Sequence, residues 1–599
     1  MIVESGSLRE RAMAALDNLT EELLAELGDR DHWIGELSSS ALSTAVATIA
    51  LGEMDRQLGT TRDGAMVRQG LDWLAGNMNA DGGWGDTIRS KSNISTTALC
   101  WAAFGAAGAD DQYRTVVQRA ESWLARAAGS LKNLPEAIAA RYGRDRTFSV
   151  PILMTCALSG RLGKNGWRKV PALPFELAVF PRAWFGALKL PVVSYALPAL
   201  IAIGQAIHHH APSRNPIARM ARTISRGRTL GLLPILQPPN GGFLEATPLT
   251  AFVTMSLASA GEAKNSVAQR GAAFLRTSIR ADGSWPIDTN LATWVTTLSI
   301  KALSQGRALG EKKRDQLRRW LLNQQYKTTH AYTGAGPGGW AWTDLPGGVP
   351  DADDTAGALL ALDHLGEITR ETISAAEAGI TWLLDLQNSD GGIPTFCRGW
   401  GTLPFDRSAP ELTTHALRAF QVWFAKVNSR LQKRIDRATA RGIRYIEKTQ
   451  RSDGAFIPLW FGNEDGHDDQ NPVYGTAQVL IALNELSKLG VVIPEKICRC
   501  AADFLSSAQH QNGGWGGDKN LQDMVEETAL ALEALCGCGR VEPVESALNR
   551  LLQFVEEGRH QTGSPIGFYF ARLWYFERLY PLVFSVSALN AVNRDLEAT

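Results

Sequence analysis

The chain has 599 residues, with 61 basic and 61 acidic side chains, and 45% of it is hydrophobic. That length exceeds one core, so two domains are expected, and the balanced charge removes any electrostatic basis for binding nucleic acid. Seven cysteines form no even framework, which suits a reducing cytoplasm, and Met1–Glu10 lacks the basic-then-apolar order of a secretory leader.

Along the chain, one pattern recurs. Trp73-Leu74 leads to Asp81-Gly82-Gly83-Trp84, and Phe274-Leu275 to Asp282-Gly283-Ser284-Trp285. Trp382-Leu383 with Gln387 leads to Asp390-Gly391-Gly392-Ile393, and Tyr445-Ile446 with Gln450 to Asp453-Gly454-Ala455-Phe456. Phe504-Leu505 with Gln509 leads to Asn512-Gly513-Gly514-Trp515; Gln237 to Phe243 and Gln324 to Trp340 are looser copies. Each unit reads as helix, tight glycine turn, helix, with the turn aromatic stapling the next helix. Apolar residues at i, i+3, i+4 spacing, as in Thr476–Leu486 and Thr528–Leu535, support helices, and alternating strands are scarce. The fold class is therefore all-α, with helical hairpins curling into two α/α barrels.

Between Trp84 and Phe243 the repeat is lost. Leu173–Gly186 and Leu190–Ile203 are very apolar, but Pro191 and Pro198 interrupt the run and Lys189 flanks it, so they make a poor membrane span. They read as a buried helix pair or as a surface patch dipping into one leaflet. His208-His209-His210 adjoins Pro212 and reads as a solvated loop rather than a metal site. Cys498-Arg499-Cys500 and Cys536-Gly537-Cys538 read as buried free thiols.

The most telling string is Pro350-Asp351-Ala352-Asp353-Asp354-Thr355-Ala356, after the aromatic run Gly338–Trp342 and before the apolar Gly357–Leu362. Three carboxyls this close cannot all ionise, so at least one keeps a proton at neutral pH. A retained proton beside an apolar, aromatic-lined space is what protonating a hydrocarbon double bond needs. Taken alone, the same string also suits a helix cap or a cation site.

The repeats and Asp351-Ala352-Asp353-Asp354-Thr355-Ala356 in combination resemble the squalene–hopene cyclases, the bacterial class II triterpene cyclases. The resemblance implies two α/α barrels, a central apolar cavity and monotopic attachment to a membrane, here the cytoplasmic face of the inner membrane. It divides the chain into 1–30, packing on the C-terminal barrel; 31–270, a barrel with a membrane-facing apolar region; and 271–599, the barrel carrying the acid motif. Glu411-Leu412-Thr413-Thr414-His415 is similar to the family's acidic-x-x-x-His segment, whose His bonds the catalytic Asp; spacing of four puts both on one helix face. Asn471-Pro472-Val473-Tyr474-Gly475-Thr476 resembles a segment whose Tyr supports the acid.

The resemblance implies the catalytic set Asp353, Asp351, Asp354, His415, Tyr474 and Glu411. In it Asp353 is the donor, a cationic His415 eases loss of its proton, and Asp351 and Asp354 orient the site and balance its charge. The substrate-lining candidates are Trp342, Trp184, Phe396, Phe405, Trp460, Phe568, Tyr569, Trp574 and Tyr575. Aromatic faces stabilise a carbocation without attacking it, and a dry cavity delays quenching by water. No bound cofactor and no metal are implied. The partners are a linear, squalene-like polyprenoid and the membrane surface, with a homodimer possible and no nucleic acid. Rival readings are a class II diterpene-type cyclase, a prenyltransferase-like barrel and a noncatalytic lipid-binding barrel. Ile287-Asp288-Thr289, where the family often has Trp-Asp-Thr, and Asp523–Ala529 depart from the family pattern, as does the acidic insertion Gly462–Gln470.

Overall fold

The glycine in each repeat turn sits where a side chain has no room. Gly82, Gly241, Gly283, Gly338, Gly391, Gly454 and Gly513 all have φ between 87° and 116°, which L side chains avoid. A Cβ on Gly454 would also lie 2.1 Å from the Cys500 carbonyl oxygen, and one on Gly513 2.2 Å from that of Ser546. The turn backbone thus abuts the following outer helix. The aromatic after the glycines then locks the hairpin: the indole N–H groups of Trp84, Trp285 and Trp515 donate to Leu74, Leu275 and Leu505, each ten residues earlier, at 2.7–2.8 Å. Burying such a ring removes roughly 150–250 Å² from water, on the order of 4–6 kcal/mol. The repeat glutamines stitch each turn to the next outer helix: Gln450 Nε2 donates to the Gly454 and Ile497 carbonyls, and Gln387, Gln509 and Gln237 repeat the arrangement.

In the looser copy before Trp340 this role belongs to Gln325, which donates to Gly338 and Ala375, and not to Gln324. Gln324 reaches back only to Trp320 of its own helix. The insertion of residues 327–337 before the turn hides the register in the sequence.

The structure is a computed structural model that describes residues 6–598 except 144–145, 181–196, 305–307, 397–405, 537, 539 and 569–571. Among the described residues, helices Ala292–Leu303, Ala352–His364, Pro410–Trp423, Pro472–Lys488, Val525–Leu535 and Tyr580–Ala598 pack each on the next, and the last returns to the first. This closed inner ring is surrounded by Glu311–Gln324, Arg370–Leu386, Ser429–Thr449, Glu495–Ala508 and Val541–Glu556. The N-terminal helix Gly6–Leu27 packs between Val541–Glu556 and Tyr580–Ala598, with Arg11 paired to Glu556 at 2.8 Å. A second inner ring contains Ala41–Leu58, Ile94–Ala106, Arg146–Leu158, Leu197–His210 and Thr247–Leu257. The all-α, double-barrel expectation is met.

Short strands line the seam. Ser39–Ser40 pairs antiparallel with Trp285–Pro286, and Ile566–Phe568 lies between Phe461–Gly462 and Leu573–Tyr575. The acidic insertion after Phe461 reaches the other barrel, where Asp465 pairs with Lys91 at 2.8 Å. His208–His210 form the last turn of Leu197–His210 rather than a loop, because nothing stops the helix before Pro212; His210 stacks on Trp167 at 4.1 Å. Cys498, Cys500, Cys536 and Cys538 are free thiols but only partly buried. Among the described residues no helix is long and apolar enough to cross a membrane.

Candidate active site

The acid motif opens the inner helix Ala352–His364. Asp351 is its N-cap, extended at φ −136° and ψ 171°, and its carboxylate accepts the Asp354 N–H at 2.9 Å. The capping role therefore holds for one of the three carboxyls. A backbone bridge from Trp340 to Asp351, and Thr355 Oγ1 accepting the Trp340 N–H at 3.0 Å, fix the motif to the repeat turn before it.

Asp353 behaves differently. Its Oδ1 receives the Nδ1–H of His415 at 2.6 Å, across two neighbouring inner helices. Both side chains are partly accessible, 20% and 16%, because the Asp353 carboxyl faces open space. Asp351 and Asp354 are buried, and loss of hydration pushes both upward, Asp351 to about 8. Asp354 Oδ1 finds no hydrogen-bond partner among the described residues, as suits a neutral acid. The expectation that the cluster retains protons at neutral pH agrees with this.

That open space is a cavity of about 1120 Å³ lined by both barrels. It exceeds the roughly 300–1,000 Å³ usual for a drug-sized ligand. Asp351, Asp353 and Asp354 are among its lining residues, and most of the remaining lining is apolar. Along it the rings pass edge to face: Trp342 to Phe396 at 6.2 Å, Phe396 to Trp460 at 5.8 Å, and Trp460 to Phe568 at 4.5 Å. Phe568 then meets Tyr575 at 5.7 Å, and Tyr575 meets Tyr580 at 6.5 Å. These rings line the cavity, and an aromatic face open to it would attract a cation.

Glu411 and His415 share one helix face, and with Tyr474 and Asp353 they border a smaller void of about 50 Å³. One Glu411 oxygen accepts the Leu459 N–H at 2.7 Å; burial pushes the group up to about 8. Tyr474 is capped into its helix by Asn471, and its hydroxyl accepts from Gln478 at 3.3 Å. Tyr474 thus stands across the void from the acid, with no hydrogen bond to Asp353 or His415.

Trp574 does not line the cavity. Residues 573–575 form a strand, so Leu573 and Tyr575 face the cavity and the Trp574 side chain the opposite side, while its backbone N–H donates to Asp86 at 2.9 Å. Trp184, Phe405 and Tyr569 lie outside the described residues. Sequence reading missed Trp294, which borders both cavities and stands edge-on to His415 at 6.2 Å. It also missed Phe252, Leu249 and Ile152 from the N-terminal barrel. Each reads as an ordinary apolar helix position, with no local signal that it borders a cavity.

Residues 16–196 match the squalene–hopene cyclase N-terminal domain and residues 291–564 the C-terminal domain, together well over half the chain. The chain belongs to the squalene–hopene cyclase family. It is 23% identical to an enfumafungin synthase of Hormonema carpetanum over 91% of this chain and 45% of that one. It is 24% identical to a squalene hopane cyclase of Aspergillus fumigatus over 91% of this chain and 81% of that one. The chain spans about half the length of the first curated relatives that it matches. In fold it is similar to abietadiene synthase from Abies grandis, with a TM-score of 0.50, 15% identity, and coverage of 93% of this chain and 60% of that one.

Proposed function

We propose that this family member is a class II cyclase that protonates a terminal alkene of squalene, or of a similar linear polyprenoid, and steers the resulting cation through ring closures. One observation carries the reading: the Asp353 carboxyl, bonded to His415 on one side, faces a long apolar cavity edged by aromatic rings. The alkene π pair takes the proton of Asp353, whose O–H bond breaks to leave a carboxylate, and the π electrons of the next double bond then attack the carbocation formed. The imidazole N–H of His415 takes up the negative charge left on the carboxylate. Trp342, Phe396, Trp460, Phe568 and Tyr575 hold the charge as it migrates, since rings attract a cation yet do not trap it.

The substrate is insoluble in water, and the apolar surface near the cavity suits collection from a lipid layer. Ile217, Met220 and Ile224 lie at i, i+3, i+7 on helix Pro216–Leu230 and are 61–73% exposed. Exposed Leu177, Phe180 and Ile235 also line the cavity. We read this patch as docking on the membrane surface, on its cytoplasmic face.

The test is detergent-solubilised protein incubated with squalene, its extract analysed by gas chromatography–mass spectrometry, beside Asp353→Asn. A cyclic triterpene from the wild type alone supports the reading and identifies the product. Equal conversion by both would exclude Asp353 as the donor, and conversion by neither would exclude squalene.

A further inference from the structure

The seam between the barrels carries two carboxyls that the initiating chemistry does not use, Glu245, which is buried, and Asp288, which is half-buried in the cavity wall. Leu244 and Glu245 are successive non-glycine residues with positive φ, 57° and 54°. Residues held this way persist only where their surroundings over-determine them, and they gather at functional sites. Glu245 is fully buried, and its carboxylate accepts the Gly347 N–H at 2.6 Å, Asn240 Nδ2 at 2.6 Å and Thr289 Oγ1 at 3.3 Å. Those donors belong to three segments: the turn before Thr247–Leu257, the stretch before Ala292–Leu303, and the loop leading to Asp351. The Thr247 N–H donating to Ile287 at 3.1 Å, and a bridge from Ala246 to Asp288, knot the first two together. An inner helix of each barrel therefore starts from one knot.

Asp288 emerges from this knot into the cavity wall. Its Oδ1 accepts the Thr289 N–H at 2.7 Å, and its Oδ2 accepts the indole N–H of Trp342 at 3.1 Å. The Trp342 ring also stands at 70° to Phe396. A tether at the nitrogen and a packed ring on another side leave the indole one plane to occupy. Burial, then the nearby Glu245, push the Asp288 carboxyl well above the usual carboxylate range.

We propose that Asp288 is a positioning residue: by accepting the Trp342 indole N–H it fixes the ring plane presented to the migrating cation, and so selects where along the folded substrate charge is held and which product forms. This rests on the cyclase reading above. Trp342 acts on the cation, and Asp288 acts only through Trp342.

The experiment compares product ratios from squalene for the wild type, Asp288→Asn, Asp288→Val, Trp342→Phe and the double variant Trp342→Phe/Asp288→Val. Asparagine keeps the shape and one acceptor oxygen, which can take the Trp342 indole N–H at the expense of the local Thr289 bond, and is expected to keep the wild-type ratio. Asp288→Val and Trp342→Phe each shift the ratio of full to early-terminated products by about tenfold, the rate equivalent of one desolvated cation–π contact. The double variant matches Trp342→Phe. A wild-type ratio in Asp288→Val or in Trp342→Phe would overturn the proposal, as would failure of Asp288→Asn to keep it. So would a further change in the double variant. If Asp288→Val cannot be purified, Trp342→Phe and Asp288→Asn decide alone. No product from any enzyme, the wild type included, instead removes the cyclase reading on squalene and this proposal with it.

Discussion

Asp353 and His415 meet at 2.6 Å although 62 residues separate them, because they sit on adjacent helices of the inner ring. Asp351, two residues from Asp353, spends its carboxylate on the helix cap instead. Similar side chains in one motif are thus split between holding the helix start and facing the cavity. Asp353→Asn is expected to lower kcat by more than about 10³-fold and His415→Ala by about 10²-fold, the range found when a general acid or its support is lost. Initial rates of product formation measure both. Full activity in His415→Ala would mean the imidazole is only a packing group.

The pH dependence follows from Asp351. Its carboxyl stays protonated up to about pH 8 because it is buried. Above that it becomes an anion within the cluster and holds back the initiating proton. Activity should be flat through neutrality and fall on the alkaline side with a midpoint near 8. A rate that climbs between pH 7 and 9 would contradict this.

Trp460 and Phe568 touch edge to face at 4.5 Å within the aromatic belt. Replacing either by Leu keeps apolar bulk but removes the ring face. Such a contact is worth roughly 1–2 kcal/mol for a desolvated cation, so kcat should fall about 5- to 30-fold while KM changes little. A change confined to KM would assign these rings to ordinary substrate burial.

Gly454 and Gly490 separate two costs of adding a methyl group. Both have positive φ, 92° and 85°, but a Cβ on Gly454 meets the Cys500 carbonyl at 2.1 Å, whereas one on Gly490 meets nothing within 4 Å. Gly490→Ala should cost about 1 kcal/mol, and Gly454→Ala at least about 3 kcal/mol as the repeat turn is pushed off its neighbouring helix. Denaturant midpoints compare them, and equal losses would remove close packing as the reason for the repeat glycines.

Glu577 links pH to stability. It is buried, accepts the Glu36 and Leu579 N–H groups at 2.8 and 3.1 Å, and is pushed up to about 7 by lost hydration. An unfolded glutamate titrates near 4.5. Between those values the unfolded chain has released its proton while the folded chain keeps it, so this group's contribution is complete below about 4.5 and fades as pH rises through 7. Glu577→Gln should match the wild type at pH 4 and exceed it by on the order of 1–3 kcal/mol at pH 8. Thermal melts at both values test it; a variant weaker at pH 8 would show the charge itself to be stabilising.

What could be read from the sequence was what depends on backbone and local spacing. Gly82 to Gly513 mark the turns because no other residue tolerates that φ at that approach, and Asp351–Asp354 announce a proton-holding cluster by crowding alone. The pairing of His415 with Asp353 came from resemblance, since spacing of four places His415 near Glu411 and says nothing of the neighbouring helix. Trp574 was misassigned because the strands Ile566–Phe568 and Leu573–Tyr575 are too short to show alternation, so every aromatic in that region of the sequence looked alike. Trp294, and any role for the Asp288 of Ile287-Asp288-Thr289, stayed hidden for a related reason. An apolar helix residue and a lone acid gain meaning only when the other barrel closes over them.

The ring that encloses Asp353 also orders its own assembly. Helix Ala292–Leu303 is sealed by Tyr580–Ala598, and Gly6–Leu27 must wait for Val541–Glu556 before it can bury its face. A ribosome making this chain therefore finishes the N-terminal ring roughly 340 residues before the C-terminal ring can shut, as domains generally mature in synthesis order. Until then the acid motif stays open to water, and under the proposed reading the nascent chain carries its donor in a form unable to start the chemistry.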